Sequence, residues 1–160
     1  MKQSIIRKRN YLFEVLCIVE GLVIFLVWFS VMRSVNDALI AAAFTYFPLA
    51  WTLRLTLERH HRAGMHYLKK EDFAEALICF RESEDFFMRY GWVDKYRFIT
   101  MFASSAYSFR EMALHNQAYA LIHMNCLQEA IIPLEKLLVL APGREDAANL
   151  LNEIRRLSQE

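Results

Sequence analysis

The chain has 160 residues and a net charge of +1, with 56% of its residues hydrophobic and 23% charged. A charge so near zero argues against general nucleic-acid binding, because phosphate recognition needs a marked basic excess. Four Gly and three Pro leave little room for a turn-rich β architecture, whereas 12 Phe, seven Tyr, three Trp and seven Met suit an apolar helical interior. The cysteines Cys17, Cys79 and Cys126 are odd in number and widely spaced in apolar helical patterns, without zinc-type spacing. They are expected to be reduced thiols behaving as small hydrophobes in a cytosol-facing domain.

A short basic tail, residues 1–10, carries Lys2, Arg7, Lys8 and Arg9. Residues 12–32, LFEVLCIVEGLVIFLVWFSVM, follow with only Glu14 and Glu20 charged, and residues 38–57 form a second apolar stretch. About 20 apolar residues suffice to cross a bilayer, so both stretches read as transmembrane helices. The loop 33–37 forces them into an antiparallel hairpin occupying 11–57. A cleaved signal peptide would have a shorter apolar core and a small-x-small site, and Met32-Arg33-Ser34 is a poor one. Trp28 and Trp51 are rings of the kind enriched near membrane interfaces.

The loop has only Arg33, whereas the segment after the second stretch carries Arg54, Arg59, Arg62, Lys69 and Lys70. The positive-inside rule therefore predicts that both termini face the cytoplasm. Glu20 lies near the middle of the first span, where a carboxylate is costly. Glu14 or Glu20 paired with Arg54, or a protonated Glu20 bonded to Thr45 or Thr52, would relieve that cost. The competing reading is a polar contact to a partner membrane protein or a proton-linked site. Pro48 can kink the second helix.

Beyond residue 57 the pattern changes to charged, amphipathic helix. His60-x2-Ala63-Gly64-x2-Tyr67 is followed by Ala76-x3-Phe80, with Phe73 and Ser83 at helical positions between and beyond. Gly64 and Ala76 would let two antiparallel helices approach, with Tyr67, Phe73 and Phe80 filling the seam. Residues 69–72 form the turn, with Asp72 as N-cap and Glu75 as its reciprocal partner. A second copy opens on the capping box Ser108-Phe109-Arg110-Glu111. It continues as Leu114-x2-Gln117-Ala118-x2-Leu121, Ala130-x3-Leu134 and Pro142, with Asn125 and Gln128 capping its second helix. Tyr67 to Ala76 and Leu121 to Ala130 span the same nine residues. Between the copies Trp92, Tyr96, Ile99 and Phe102/Ala103 recur at helical spacing, predicting an additional or extended helix over 91–107. A polar-faced helix over 143–158 would cap the array.

Residues 58–160 thereby resemble the tetratricopeptide repeat superfamily, and the run SFREMALHNQAYALIHMNCLQEAI resembles small bacterial repeat proteins with an N-terminal membrane hairpin. The repeat-like units are 57–90 and 108–142. They are offset by 54 residues rather than about 34, the first lacks its closing proline, and Gln117-Ala118 replaces the usual Leu-Gly. The expected fold class is all-α: a transmembrane helical hairpin followed by a short repeat domain with a C-terminal capping helix.

The resemblance implies a membrane-anchored adaptor or scaffold that binds a partner protein on the first helix of each pair. The groove positions would be Glu58, His61, Arg62, Met65 and Lys69, then Met112, His115, Asn116, Tyr119 and His123. Such a mixed basic, His and Met surface suits an amphipathic or acidic peptide. The alternative is an accessory subunit of a transporter, channel or biogenesis complex, with Glu20 and Arg54 as intramembrane polar residues. Self-association through the open ends of the array is a further expectation. The histidines lack metal-ligand spacing, and Arg59, His60, His61 and Arg62 suit a headgroup surface. No phosphate loop, GxSxG or paired catalytic carboxylates occur, so no enzyme activity, metal or cofactor is expected.

Overall fold

The computed structural model describes residues 11–103 and 105–157; the basic tail of Lys2, Arg7, Lys8 and Arg9 lies outside them. The described residues form nine helices and no strand: α1 Tyr11–Met32, α2 Val35–Leu57, α3 Arg59–Lys69, α4 Phe73–Arg89, α5 Gly91–Lys95, α6 Arg97–Thr100, α7 Phe109–His123, α8 Leu127–Leu140 and α9 Glu145–Leu157. The chain divides into two compact units.

The first unit joins the residues up to Glu58 with Trp92–Tyr107. Its helices α1 and α2 are each long and apolar enough to cross a membrane. They reverse at Arg33, whose φ of 55° places it in the left-handed region. The face of α1 toward α2 carries Phe13, Cys17, Glu20, Ile24 and Trp28 at helical spacing, all half-buried. Opposite them α2 buries Ala38, Ala42 and Ala50, and such small side chains let helix backbones approach closely. Trp28 Nε1 donates to Thr45 Oγ1 at 3.0 Å across the seam. Thr52 donates to the Pro48 carbonyl at 2.7 Å, inside α2.

The segment after Gly91 is not the single helix that its spacing predicts. Two short helical pieces, α5 and α6, lead into irregular chain, and Phe102 takes a left-handed φ of 50°. Side chains hold this shape. Arg97 donates to the carbonyls of Asp94 at 2.9 Å, Ser105 at 3.0 and 3.1 Å and Ala106 at 3.3 Å.

The second unit comprises Arg59–Gly91 and Ser108–Glu160. Its helices pack in chain order: α3 on α4, α4 on α7, α7 on α8, α8 on α9. The turns of α3–α4 and α7–α8 are equivalent at a spacing of 54 residues. Asp72 N–H bonds the Tyr67 carbonyl at 3.0 Å and Cys126 N–H the Leu121 carbonyl at 2.9 Å. Glu71 N–H bonds Leu68 O at 3.1 Å, and Asn125 N–H bonds Ile122 O at 3.0 Å. Both are Schellman closures, with a left-handed residue satisfying the last carbonyls of the first helix; Glu71 and Asn125 have φ of 61°. Asn125 therefore makes the turn and does not cap α8 as the sequence suggests. The N-cap position belongs to Cys126, without a side-chain cap bond. Asp72 does cap α4, accepting from Glu75 N–H, and Ser108 and Glu111 close a reciprocal capping box on α7.

Corresponding positions of the two hairpins have the same environment. Ala76 and Ala130 are fully buried, as are Phe80 and Leu134. Gly64 is required where α3 crosses α4, because a Cβ there would lie 2.7 Å from the Phe80 ring. A core of Leu77, Leu114, Leu121, Leu134, Leu137, Leu150 and Ile154 runs through to α9. The outward residues of α9, among them Glu145, Asn149, Glu153 and Arg156, are polar and exposed.

Candidate functional site

Helices α3 and α7 are the first members of the two equivalent hairpins, and they touch each other. Asn116 Nδ2 lies 3.5 Å from Met65 Sδ, joining the two residue rows. Along α3, Arg62 and Lys69 are exposed and Met65 is half-buried; along α7, Met112 and Tyr119 are half-buried and His123 is exposed. The spacing 62, 65, 69 and 112, 119, 123 keeps each row on one helical face. His123 is stacked on Phe73 at 4.7 Å and meets Tyr119 at 4.4 Å between ring centroids. The result is a face with two cations, two thioethers and an aromatic group, about one helix pair wide.

Four expected groove residues do not lie on it: Glu58 is the C-cap of α2 in the first unit, and His61, His115 and Asn116 are turned into the stack. His61 is 8% exposed and Asn116 only 2%. His61 packs edge-on against Phe80 and Phe109, at 5.5 and 5.4 Å, and its Nδ1 lies 3.5 Å from Ser83 Oγ. Burial lowers its pKa to about 4, so the ring is a neutral core group at physiological pH. Asn116 is turned inward because α3 crosses α7 at that point.

His115 belongs to an ionic cluster between the start of α7 and the start of α9. Buried Arg144 grips Asp146 through two bonds, of 2.7 and 2.6 Å, and its Nη1 is 3.6 Å from Glu111. His115 Nδ1 stands 3.9 Å from Asp146. Burial, reinforced by Arg144 and opposed by Asp146, lowers the His115 pKa. The bonds from Arg144 hold the Asp146 carboxyl below its usual range. This cluster fixes α9 against α7.

Sequence reasoning missed a second polar network. Buried Glu84 accepts from Gln117 Nε2 at 2.9 Å and from Lys136 Nζ at 3.3 Å, and Gln117 also donates to the Phe80 carbonyl at 3.3 Å. The signal was Gln117 itself, a polar residue at an expected Leu position. Its amide ties α7 to α4, and Lys136 ties α8 to the same Glu84.

In the first unit Arg54 does not pair with Glu14 or Glu20 as expected. Its Nε donates to the Met101 carbonyl at 2.9 Å and its Nη2 to the Phe102 carbonyl. Neither carboxylate oxygen of Glu20 has a hydrogen-bond partner among the described residues. Thr45 is engaged by Trp28, and Thr52 by the Pro48 carbonyl. His60 bridges Arg59 and Glu82, at 2.8 and 2.7 Å. No three His, Cys, Asp or Glu side chains converge on a metal-sized site among the described residues.

No family model matches the chain, and neither a curated protein nor a solved structure matches it.

Proposed function

We propose that the chain is a membrane-anchored adaptor of tetratricopeptide-repeat type, which recruits a partner protein to the α3–α7 face. The observation that carries this reading is the equivalence of the two hairpins at a 54-residue spacing, down to the left-handed Glu71 and Asn125. That equivalence supports reading α3 and α7 as the paired inner helices of a repeat array. Their exposed Arg62, Lys69 and His123 and half-buried Met65, Met112 and Tyr119 suit an amphipathic segment with acidic residues. Thioethers adapt to varied apolar shapes, while the cations select charge. The hairpin α1–α2 crosses a membrane twice, with both termini in the cytoplasm because most cations flank the spans and only Arg33 lies in the turn. A bacterial inner membrane fits that arrangement, and no catalysis is involved.

The test is affinity purification of the full-length protein from its native membranes, in mild detergent, beside Tyr119→Glu and Met65→Glu. One protein recovered in stoichiometric amount with the parent chain and lost from both variants supports the adaptor. Unchanged recovery from both rejects the face. One observation favours the alternative of an accessory membrane subunit. Glu20 sits in the hairpin seam without a hydrogen-bond partner among the described residues, and a polar group on another membrane protein would satisfy it. Replacing the hairpin with an unrelated two-span anchor abolishes partner recovery under that alternative and leaves it intact for the adaptor.

A further inference from the structure

Residues 92–107 pack at the open end of the α1–α2 hairpin, opposite its turn. Phe98 stacks on Phe13 with ring centroids 5.4 Å apart, and the Cys17 thiol lies 3.8 Å from the Phe98 carbonyl. Arg97 covers the Phe13 ring at 4.8 Å, and Phe102 meets Tyr46 edge-on at 4.7 Å. Val93, Arg97, Met101 and Phe102 are buried. The opposite side carries Trp92, Tyr96 and Ile99, which are 61%, 45% and 53% exposed. Trp92 lies on α5, Ile99 on α6 and Tyr96 at the junction between them, and Lys95 lies over the Tyr96 ring at 5.5 Å.

Two features of this segment fit one environment. First, its outward face carries Trp, Tyr, an aliphatic group and a Lys, the composition enriched where a bilayer meets water. Second, its irregular backbone is supplied with protein donors. Arg54 serves the carbonyls of residues 101 and 102, and Arg97 those of 94, 105 and 106. Thr100 bonds the Val93 carbonyl at 2.7 Å and Ser105 the Tyr107 carbonyl at 2.9 Å. A loop in water needs no such provision. Non-helical chain at membrane depth needs it, because no water replaces a missing partner.

We infer that residues 92–107 form an interfacial membrane element, which lays Trp92, Tyr96 and Ile99 into the headgroup–acyl boundary of the bilayer that α1 and α2 cross. This rests on the two-span reading. Val15, Ile18, Phe47 and Trp51 of α1 and α2, in the same unit, are likewise turned outward, and the lipid that covers those residues is the occupant of this face as well. Arg54 and Arg97 then serve as backbone donors that make the loop tolerable at that depth.

The experiment reconstitutes the full chain into vesicles of phosphatidylcholine and phosphatidylglycerol. The lipids carry a nitroxide quencher either at the headgroup end or at the terminal methyl of the acyl chain. Two single-tryptophan variants are compared: Trp28→Phe/Trp51→Phe, which leaves Trp92, and Trp28→Phe/Trp92→Phe, which leaves Trp51. Trp92 is expected to emit at short wavelength and to lose more intensity to the shallow quencher than to the deep one, with little loss to aqueous iodide. Trp92 quenched by iodide while Trp51 is quenched by lipid would overturn the inference and leave the two spans standing. Both tryptophans quenched by iodide alone would overturn both. Hydroxyl-radical labelling of the unsubstituted chain in the same vesicles needs no variant. Trp92 and Tyr96 are expected to be protected and Tyr90 labelled; labelling of all three rejects the interfacial placement.

Discussion

The hairpin and the helical stack bury opposite kinds of side chain. Between α1 and α2 the most buried apolar residues are Ala38, Ala42 and Ala50, while Leu22, Leu26, Phe44 and Phe47 point outward. In the stack Phe80, Phe87, Leu114, Leu134 and Leu137 are buried to 2% or less, and charged residues make up about half of the outside. Water drives large apolar groups inward, in proportion to the area they hide. A hydrocarbon solvent supplies no such drive, so helices associate through small residues and close backbone packing. On the two-span reading, one chain carries two cores suited to two solvents, and substitutions should act differently in each.

The largest contrast is expected from matched truncations of phenylalanine. Phe80→Ala empties the space between α3 and α4 and should cost the stack about 3–5 kcal/mol. Phe47→Ala removes an outward ring from α2 and should leave the stack's stability within about 0.5 kcal/mol of the parent. Amide hydrogen exchange in α3, α4 and α7 of the reconstituted protein reads both. Equal effects would mean that the two units do not fold against different solvents.

The pH dependence of the stack comes next. Burial lowers the His61 pKa from 6.5 to about 4. The unfolded chain therefore takes up a proton as pH falls through 6.5, while the folded chain resists until about pH 4. Stability is undiminished above pH 6.5 and declines across that window, by about 3 kcal/mol at its acid end. His115 acts in the same direction. His61→Phe should flatten most of the decline, as followed by denaturation midpoints between pH 7 and about pH 4. An unchanged profile would show that His61 is solvated in solution.

A smaller effect should come from the polar network inside the apolar stack. Gln117→Leu removes one of the two side-chain donors to buried Glu84, leaving Lys136, and should cost about 1–3 kcal/mol. Glu84→Leu combined with Gln117→Leu removes both desolvated groups and should recover most of that loss. A double-mutant cycle from urea melts decides it, and additive losses would mean that the two side chains do not interact.

The hairpin, the Ser108–Glu111 capping box and the Asp72 cap were legible in the sequence, because length and i to i+3 spacing are local properties. The inner surface was less so. The pattern that puts His61 on the first helix of a pair cannot say that Phe80 and Phe109 close over it. Asn125 looked like a cap because Asn serves both caps and left-handed turns, and only the path of the chain decides between them. The insert was the least legible. Its aromatic stripe has the period of a core, yet Trp92, Tyr96 and Ile99 face outward, since Arg97 and the distant Arg54 fold its backbone from the other side.

The smallest effect, and the most discriminating, is expected from Glu20→Gln. The substitution keeps the shape of the side chain and removes its ability to ionise. Since neither Glu20 oxygen has a hydrogen-bond partner among the described residues, no bond within the hairpin is lost, and hairpin stability should change by no more than about 0.5 kcal/mol. Helix association measured by energy transfer between labels on α1 and α2 would check this. Partner recovery from native membranes then carries the weight. If the adaptor reading is right, recovery is unchanged, because recognition lies on α3 and α7. If recovery falls while the hairpin stays intact, the carboxyl group itself is the contact, and the seam of small residues serves to present it to another membrane protein.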